Sequence, residues 1–341
     1  MTGSVKAPRM LDVAKAAGVS TMTVSRALRG DASVAAKRRK QIMMIAEEMG
    51  YILDRGASQL RTRKTGFVAV TVPSINNPNF ADSVRGLTGV LEEIGLQVLL
   101  GFTDYSLERE EHIIGQLLRR KPEALVVTGS NHTQDTRDLL ARASIPVIAT
   151  WDEPSEPIGY SVGFSNAYAG SLMADHLMET GRKNIAFIGC HRDTDFRGQA
   201  RARGFFDALE RKGLLCDRYI EAGKPPLGAQ QGAAAARQLL AAYPDTDAVM
   251  CVADSVAFGA ISEFQRAGIE VPNRIAVAGF GAYDIGACSL PPITTIEPNA
   301  EEIGALTGKT IGQLLNGEGT TLLSKHKGKN PNLVIRASTA G

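Results

Sequence analysis

At 341 residues the chain is too long for one small helical module, so we expect a small domain followed by a larger or paired one. The net charge of +2 hides an asymmetry, because residues 1–64 hold 13 basic and 5 acidic side chains and residues 65–341 hold 25 and 31. No run of about 18 apolar residues is present, and the first ten residues lack the apolar run of a signal peptide, which excludes a membrane protein and indicates the cytoplasm.

The four cysteines, Cys190, Cys216, Cys251 and Cys288, lie far apart with no paired spacing. Such spacing predicts neither a disulfide framework nor a metal site, and it is typical of a protein from a reducing compartment. We therefore expect no metal and no cofactor.

Residues 11–28 have the pattern of two short helices joined by a tight turn. Apolar residues recur at helical spacing, Gly18 can supply the turn, and Ser20 or Thr21 can cap the second helix. A helix-turn-helix of this kind inserts its second helix, here residues 21–28, into the major groove of DNA. The residues that we expect to contact bases or phosphates are Ser20, Thr21, Met22, Thr23, Ser25 and Arg26.

Two features favour DNA binding over an ordinary helical hairpin with a solvated face. Val24 and Leu28 are four residues apart and would face the core, which leaves the polar set of the second helix outward. The excess of basic residues lies in the same part of the chain, as phosphate binding requires. A basic RNA-binding arm or a solubilising tail would lack this helical periodicity. The pattern therefore predicts double-stranded DNA as a partner.

A third helix is predicted over residues 36–49, followed by Gly50 as its stop signal. Its basic cluster at 37–40 is either a solvated face or a set of phosphate contacts. This helix would complete a head of residues 1–52, and the short segment that follows, residues 53–64, is neither core nor typical linker. The apolar stripe of the third helix consists of Ile42, Ile45, Ala46 and Met49.

From residue 65 onward, short apolar strands alternate with helices, and the pattern occurs twice. Strands buried on both faces and joined by helices are typical of parallel sheets. We predict an α/β fold of two similar lobes, the first over about 65–160 and 296–325 and the second over 161–295, with the C-terminal strand completing the first lobe. The clearest strands are FVAVTVP, LQVLLGFT, ALVVTG, PVIATW, NIAFIGC, YIEAG, AVMCVA and IAVAGF, and the clearest helices are 80–94, 107–120, 136–142, 198–212 and 227–242.

The stretch DVAKAAGVSTMTVSRAL, followed by GYILDRGASQLRTRKTGFVAV, resembles the DNA-binding head and hinge of the lactose/galactose repressor family of transcription factors. The resemblance covers essentially the whole chain. It implies a homodimer on palindromic operator DNA, with a hinge at 53–64 that becomes helical only on that DNA. In this family a hinge leucine wedges into the minor groove, and the matching residue is Leu60, with Ala57 one turn earlier. Alternatively, Leu60 packs on the first strand of the core.

The resemblance also implies the two-lobed fold of periplasmic sugar-binding proteins for residues 65–341. Ligands of parallel sheets bind at the carboxyl ends of the strands, so polar residues that follow strands are candidates. Arg201 in RARGF matches an arginine that anchors the effector in this family, and Arg197 lies one turn earlier; the alternative is an exposed helix start. The candidate effector-binding residues are Ser74, Phe80, Thr128, His132, Trp151, Asp152, Arg197 and Arg201.

Two departures from the family pattern bear on the ligand. Ala253 and Gly281 stand where many sugar-binding members have an asparagine and an aspartate, which argues against a neutral hexose and lowers repulsion of an anion near Arg201. Motifs such as VPSINNPNFADSVRGL and AGFGAYDIG are similar to those of gluconate-utilisation repressors, which implies gluconate or a ketogluconate. Phosphorylated sugars are the second interpretation and nucleobases the third. Asp254 is expected to cap the helix that it begins.

An enzyme is the competing class of function. No GxxxxGK[ST] loop or HExxH helix is present in the sequence. We therefore predict a repressor of sugar-acid catabolism genes that has no catalytic residues. The chain after residue 315 has no leucine heptads, which favours a dimer over a tetramer.

Overall fold

The computed structural model describes residues 7–51, 65–154, 156–215, 217–317 and 326–340. It divides into two compact units, Met1–Thr65 and Gly66–Gly341. Cys216 lies outside the described residues, and the remaining three cysteines are free thiols.

The N-terminal unit folds around a small helical core. Its helices are α1 (Met10–Ala17), α2 (Thr21–Leu28) and α3 (Ala36–Glu48). Val13, Val24 and Ile42 are fully buried between them. Gly18 has a φ of 62°, the left-handed conformation that a tight turn requires, and Ser20 Oγ accepts a hydrogen bond from a backbone N–H of α2 at 3.1 Å. The helix-turn-helix prediction is confirmed.

The third helix also agrees with the sequence. Gly50 follows α3 with a φ of 65°, and Ile42, Ile45, Ala46 and Met49 all pack into the small core. Leu28 of α2 packs against the same core, as its spacing from Val24 predicts. This arrangement leaves the outer surface of α2 accessible.

The C-terminal unit contains two six-stranded sheets among its described residues. The strands of the first are β1 (Phe67–Val72), β2 (Gln97–Phe102), β3 (Leu125–Thr128), β4 (Val147–Thr150), β5 (Tyr160–Gly163) and β11 (His326–Gly328). The strands of the second are β6 (Ile185–Gly189), β7 (Tyr219–Glu221), β8 (Ala248–Cys251), β9 (Ala276–Phe280), β10 (Thr294–Glu297) and β12 (Asn332–Val334). Their orders are β11-β5-β4-β3-β1-β2 and β12-β10-β9-β8-β6-β7, and every pairing is parallel except β10 with β12.

Helices cover both sheets and pack against one another in pairs. They are α4 (Pro78–Glu93), α5 (Leu107–Arg119), α6 (Gln134–Arg142), α7 (Asn166–Glu179), α8 (Phe196–Arg211), α9 (Ala229–Ala242), α10 (Asp254–Arg266), α11 (Asp284–Cys288) and α12 (Ala300–Leu315). Helix α4 packs against α12, α7 against α8, and α9 against α10. The predicted helices agree with the observed ones to within about two residues at each end.

The C-terminal segment differs from the prediction that its strand completes the first lobe. Strand β11 does pair with β5 in the first sheet, but β12 returns to the second sheet and pairs antiparallel with β10. The backbone of Ser338 then accepts a hydrogen bond from Val277 N at 2.9 Å. The chain therefore crosses between the lobes after β5, after β10 and after β11, and the second lobe includes β10 and β12. Among the described helices, none combines the length and the hydropathy that a membrane span requires.

Candidate functional site

The outer face of α2 presents the side chains that we expect to read DNA bases. Met22 exposes 63% of its surface, and Thr21 and Arg26 are exposed as well. Val24 lies behind them in the core. An apolar side chain, a hydroxyl and a guanidinium on one helix face can contact a thymine methyl, either base type and guanine, respectively.

The hydroxyls of α2 already make contacts within the helix. Ser20 Oγ caps α2 and lies 2.9 Å from Thr23 Oγ1, while Ser25 Oγ accepts a hydrogen bond from the Arg29 guanidinium. Contact of these three hydroxyls with phosphate stays a prediction. The hinge candidates Ala57 and Leu60 lie outside the described residues.

In the C-terminal unit, a cleft of about 610 Å³ lies between the two lobes, at the carboxyl ends of their strands. Four of the predicted effector residues line it: Phe80, Trp151, Arg197 and Arg201. Ala253 and Gly281, the two departures noted in the sequence, line it too, so neither position offers a polar side chain to a ligand.

Arg201 on α8 is the buried cation of this cleft, with 7% of its surface exposed. Its Nη1 donates a hydrogen bond to Asn166 Oδ1 at 2.7 Å, and its Nη2 lies 3.9 Å from Asp195 Oδ2. The guanidinium stacks over the Phe280 ring at 4.0 Å from the centroid. Burial lowers the pKa of Arg201, and the charge of Asp195 opposes this effect.

One buried hydrogen-bond donor of the Arg201 side chain is unpaired among the described residues. Its Nε is buried and has no hydrogen-bond partner among the described residues. A buried N–H without a partner costs free energy, so a ligand oxygen at this atom would be stabilising. Because Arg201 is buried, the alternative of an exposed helix start is wrong for this residue.

Arg197 lies at the boundary between the lobes and is half-buried. Its Nη1 donates to the backbone oxygen of Thr128 in the first lobe at 3.5 Å, and its guanidinium lies 5.4 Å from the centroid of the Phe80 ring. Phe80 in turn meets Trp151 edge to face at 5.3 Å between centroids. These two rings form an apolar wall next to the arginines, which suits the C–H face of a sugar chain.

The other four predicted effector residues do not line the cleft. Thr128 Oγ1 donates to Thr71 O at 2.8 Å, Ser74 Oγ accepts from Asn76 N at 3.1 Å, and Asp152 binds Ser130. His132 Nδ1 lies 2.8 Å from Glu110 Oε2, and both side chains are buried away from the cleft. Their polar groups are satisfied by residues of strand β1, helix α5 and the neighbouring loops rather than by the cleft.

Sequence reasoning missed Asn166 and Asp195, which position Arg201. Asn166 Nδ2 donates to Trp151 O at 3.0 Å while its Oδ1 accepts from Arg201, so this one amide joins the first lobe to the cation. Asp195 precedes α8 and also lies 3.9 Å from Cys190 Sγ. The burial of Cys190, together with the charge of Asp195, raises the pKa of its thiol, which keeps it protonated.

Asp254 does not cap its helix, because the cap position is Ala253. Instead, Asp254 Oδ2 accepts from Tyr283 N at 2.7 Å and Oδ1 accepts from Thr295 Oγ1 at 2.7 Å. The carboxylate therefore fixes the loop that follows β9. Burial raises the pKa of Asp254 to about 6.

Comparison with known proteins shows which family the chain belongs to. Residues 9–54 match the bacterial regulatory proteins of the lacI family, and residues 174–339 match the periplasmic binding protein-like domain. The HTH-type transcriptional regulator GntR of Pseudomonas aeruginosa is 36% identical over 312 residues, which cover 91% of this chain and 90% of that protein. The chain belongs to the lacI family.

Two crystal structures agree with this lacI-family assignment. The transcription regulator GntR from Chromobacterium violaceum is 31% identical, with a TM-score of 0.76 over 81% of this chain and 100% of that one. A lacI-family transcriptional regulator from Silicibacter pomeroyi is 28% identical, with a TM-score of 0.90 over 97% of this chain and 99% of that one. The protein is thus a DNA-binding transcriptional regulator with an effector-binding domain, and it is not an enzyme.

The chemistry of this lacI-family cleft is that of binding. Among the residues that the structure describes, no group of three or more histidines, cysteines or carboxylates could hold a metal ion. Its charged groups are held by neighbouring side chains or stacked on rings. A guanidinium beside a carboxylate can bind a small molecule that carries both an anionic group and hydroxyls.

Proposed function

We propose that this regulator represses genes of sugar-acid catabolism and that a gluconate or ketogluconate bound at Arg201 controls its affinity for the operator. The observation that carries the proposal is the buried Arg201 guanidinium, whose Nε lacks a partner among the described residues of the cleft. A carboxylate is the ligand group that matches a guanidinium best, because its two oxygens can accept two parallel hydrogen bonds.

The rest of the cleft supports a hydroxy acid over a neutral sugar. Asp195 can accept hydrogen bonds from ligand hydroxyls next to Arg201, and Phe80 and Trp151 provide an apolar wall for the carbon chain. Ala253 and Gly281 provide no side-chain partners for further hydroxyls. The GntR regulators among the relatives also suggest a gluconate-type effector.

The proposed mechanism links this cleft to the DNA-binding head. Two chains form a homodimer that places two recognition helices on the half-sites of a palindromic operator. The hinge at 53–64, with Ala57 and Leu60 in the minor groove, becomes ordered on that DNA. An effector between the lobes changes their relative angle, and this change shifts the equilibrium between the ordered and the disordered hinge. A coupling free energy of about 1–3 kcal/mol between the two sites is enough to alter operator occupancy.

Calorimetric titration of the full-length protein with gluconate, 2-ketogluconate and glucose tests the proposal. We expect the sugar acids to bind and the Arg201→Ala variant to lose at least about tenfold in affinity, because a charge-assisted contact is removed. Arg203→Ala is the matched control, since Arg203 is exposed on the same helix and does not line the cleft. Equal binding of glucose, or no loss with Arg201→Ala, contradicts the proposal.

A phosphorylated sugar is the second candidate, and Arg197 is the observation that favours it. Its guanidinium lines the cleft one turn before Arg201 and could share a dianion with it. Adding 6-phosphogluconate to the titration separates the two ligand classes. Tighter binding of the phosphate ester, together with a loss in Arg197→Ala, would replace the sugar acid by the phosphorylated sugar.

A further inference from the structure

Tyr283 joins the two lobes across the effector cleft. It follows β9 in the second lobe and lines the same cleft as Arg201. Its hydroxyl donates a hydrogen bond to Asn77 Oδ1 in the first lobe at 3.0 Å. The side chain is almost fully buried, with 8% of the residue exposed, so this contact is shielded from bulk water.

The hydrogen bond to Asn77 uses the only proton of the phenol. Asn77 Oδ1 also accepts from Asn79 N at 3.0 Å, so both lone pairs of that oxygen are engaged. Burial and the charge of Asp254 raise the pKa of Tyr283, which keeps the phenol neutral. The Tyr283 oxygen can therefore offer a ligand only its lone pairs.

The backbone around Tyr283 leaves no room for another polar group at this place. Gly281 has a φ of 122°, and a Cβ added to it would lie 2.4 Å from Tyr283 Cε1 and 2.9 Å from Asn79 Nδ2. Asp254 fixes the position of the tyrosine through the hydrogen bond from Tyr283 N. The phenol thus takes the space that a side chain at residue 281 would need.

We propose that Tyr283 is a specificity-determining residue of the cleft, which accepts a hydrogen bond from a hydroxyl of the effector while Arg201 binds its carboxylate. The inference rests on the proposed sugar-acid function and deepens it, because it selects a polyhydroxy acid among carboxylates. A plain carboxylic acid has no donor for the phenol oxygen and leaves that buried acceptor without a partner.

Titration of full-length Tyr283→Phe with gluconate and with hexanoate tests the proposal. The substitution keeps the ring over Gly281 and the backbone N–H bound by Asp254, and it removes only the hydroxyl. We expect gluconate affinity to fall roughly three- to tenfold, as for the loss of one hydrogen bond, and hexanoate affinity to stay the same or rise. Tyr219→Phe is the control, because the Tyr219 hydroxyl donates to Cys190 O within the second lobe and should affect neither ligand.

A second variant separates hydroxyl recognition from simple joining of the lobes. Asn77→Ser keeps a side chain that can cap α4 but is too short to hold the phenol, so the Tyr283 oxygen remains able to accept from a ligand. We expect this variant to retain gluconate affinity to within about twofold, which is a smaller change than that of Tyr283→Phe. An equal loss in Asn77→Ser and Tyr283→Phe, an equal loss for both ligands, or unchanged gluconate binding by Tyr283→Phe overturns the inference.

The same titration distinguishes this inference from the proposed function. If the unmodified protein does not bind gluconate, the sugar-acid function fails and the role of Tyr283 falls with it. If gluconate binds and Arg201→Ala abolishes binding while Tyr283→Phe has no effect, the function stands and only the role of Tyr283 is wrong.

Discussion

The buried guanidinium of Arg201 is only partly compensated by neighbouring groups, and this leaves it able to bind an anionic ligand. Removing a guanidinium from water costs several kcal/mol unless other groups compensate. Asn166 at 2.7 Å, Phe280 at 4.0 Å and Asp195 at 3.9 Å provide part of that compensation. Nε has no partner among the described residues, so an anionic ligand would supply the missing hydrogen bond. Ligand binding would also stabilise the arrangement of the two lobes that binds it.

Asp254 should contribute stability that grows as the pH falls from 7 towards 4. Burial raises the pKa of this carboxyl from 3.8 to about 6, so the folded protein takes up a proton before the unfolded chain does. Its contribution is complete below pH 3.8, is lost as the pH rises through 6, and amounts to about 3 kcal/mol.

Urea unfolding across this pH range measures the effect. The free energy of unfolding of Asp254→Asn should lack this component of the pH dependence, since an amide does not titrate. Asp284→Asn, at an exposed carboxylate nearby, should keep it. A pH dependence that is identical in the protein and in Asp254→Asn rules out the carboxyl as its source.

The sequence allows prediction of those cleft residues that follow a strand or belong to a motif. Arg201, Arg197, Phe80 and Trp151 fall in this class, and all line the cleft. His132 also follows a strand, but its ring turns to Glu110 on α5, a contact between elements that are distant in sequence. Pairings of that kind depend on tertiary packing, which no local pattern in the sequence encodes.

At the scale of elements, the close packing of α7 and α8 builds the cation site. A Cβ added to Gly170 on α7 would lie 1.9 Å from Arg201 O, and one added to Gly204 on α8 would lie 2.0 Å from Ala167 O. The absence of side chains at both positions brings the two backbones together. Asn166 at the start of α7 can then reach the guanidinium of α8.

Gly170→Ala should therefore weaken both the fold and effector binding. The added methyl must push α7 away from α8, at a cost of about 1–3 kcal/mol in the free energy of unfolding, and it displaces Arg201 from Asn166. Gly89→Ala on α4 is the matched control, because its added Cβ meets nothing within 4 Å. Thermal unfolding and gluconate titration of both variants provide the readout.

We expect the control Gly89→Ala to leave the free energy of unfolding unchanged or to raise it slightly, as for any exposed helical glycine replaced by alanine. If Gly170→Ala behaves like Gly89→Ala in both measurements, the close approach of the two helices does not set the position of Arg201.

The helices and parallel strands could be predicted because their apolar periodicity is local. The return of the C-terminus could not, since β12 spans only Asn332–Val334 and nothing in three residues specifies which sheet edge they join. These residues pair antiparallel with Thr295, Ile296 and Glu297 of β10. Partner choice for so short a strand depends on which sheet edge lies within reach of the chain that precedes it.

At the scale of the whole effector domain, three chain crossings and a few polar contacts connect the lobes. Tyr283 donates to Asn77, and Arg197 donates to the backbone of Thr128. Each polar contact of this kind is worth about 0.5–1.5 kcal/mol. A ligand that binds one arrangement of the lobes better than another can therefore shift their populations.

Quantitative DNase footprinting on a palindromic operator, with and without gluconate, tests whether the effector cleft controls the DNA-binding head. We expect saturating gluconate to shift the protein concentration for half-protection by about tenfold or more, and we expect Arg201→Ala to protect the same operator but no longer respond. Identical protection by the unmodified protein at every gluconate concentration, or an undiminished response in Arg201→Ala, would contradict this expectation.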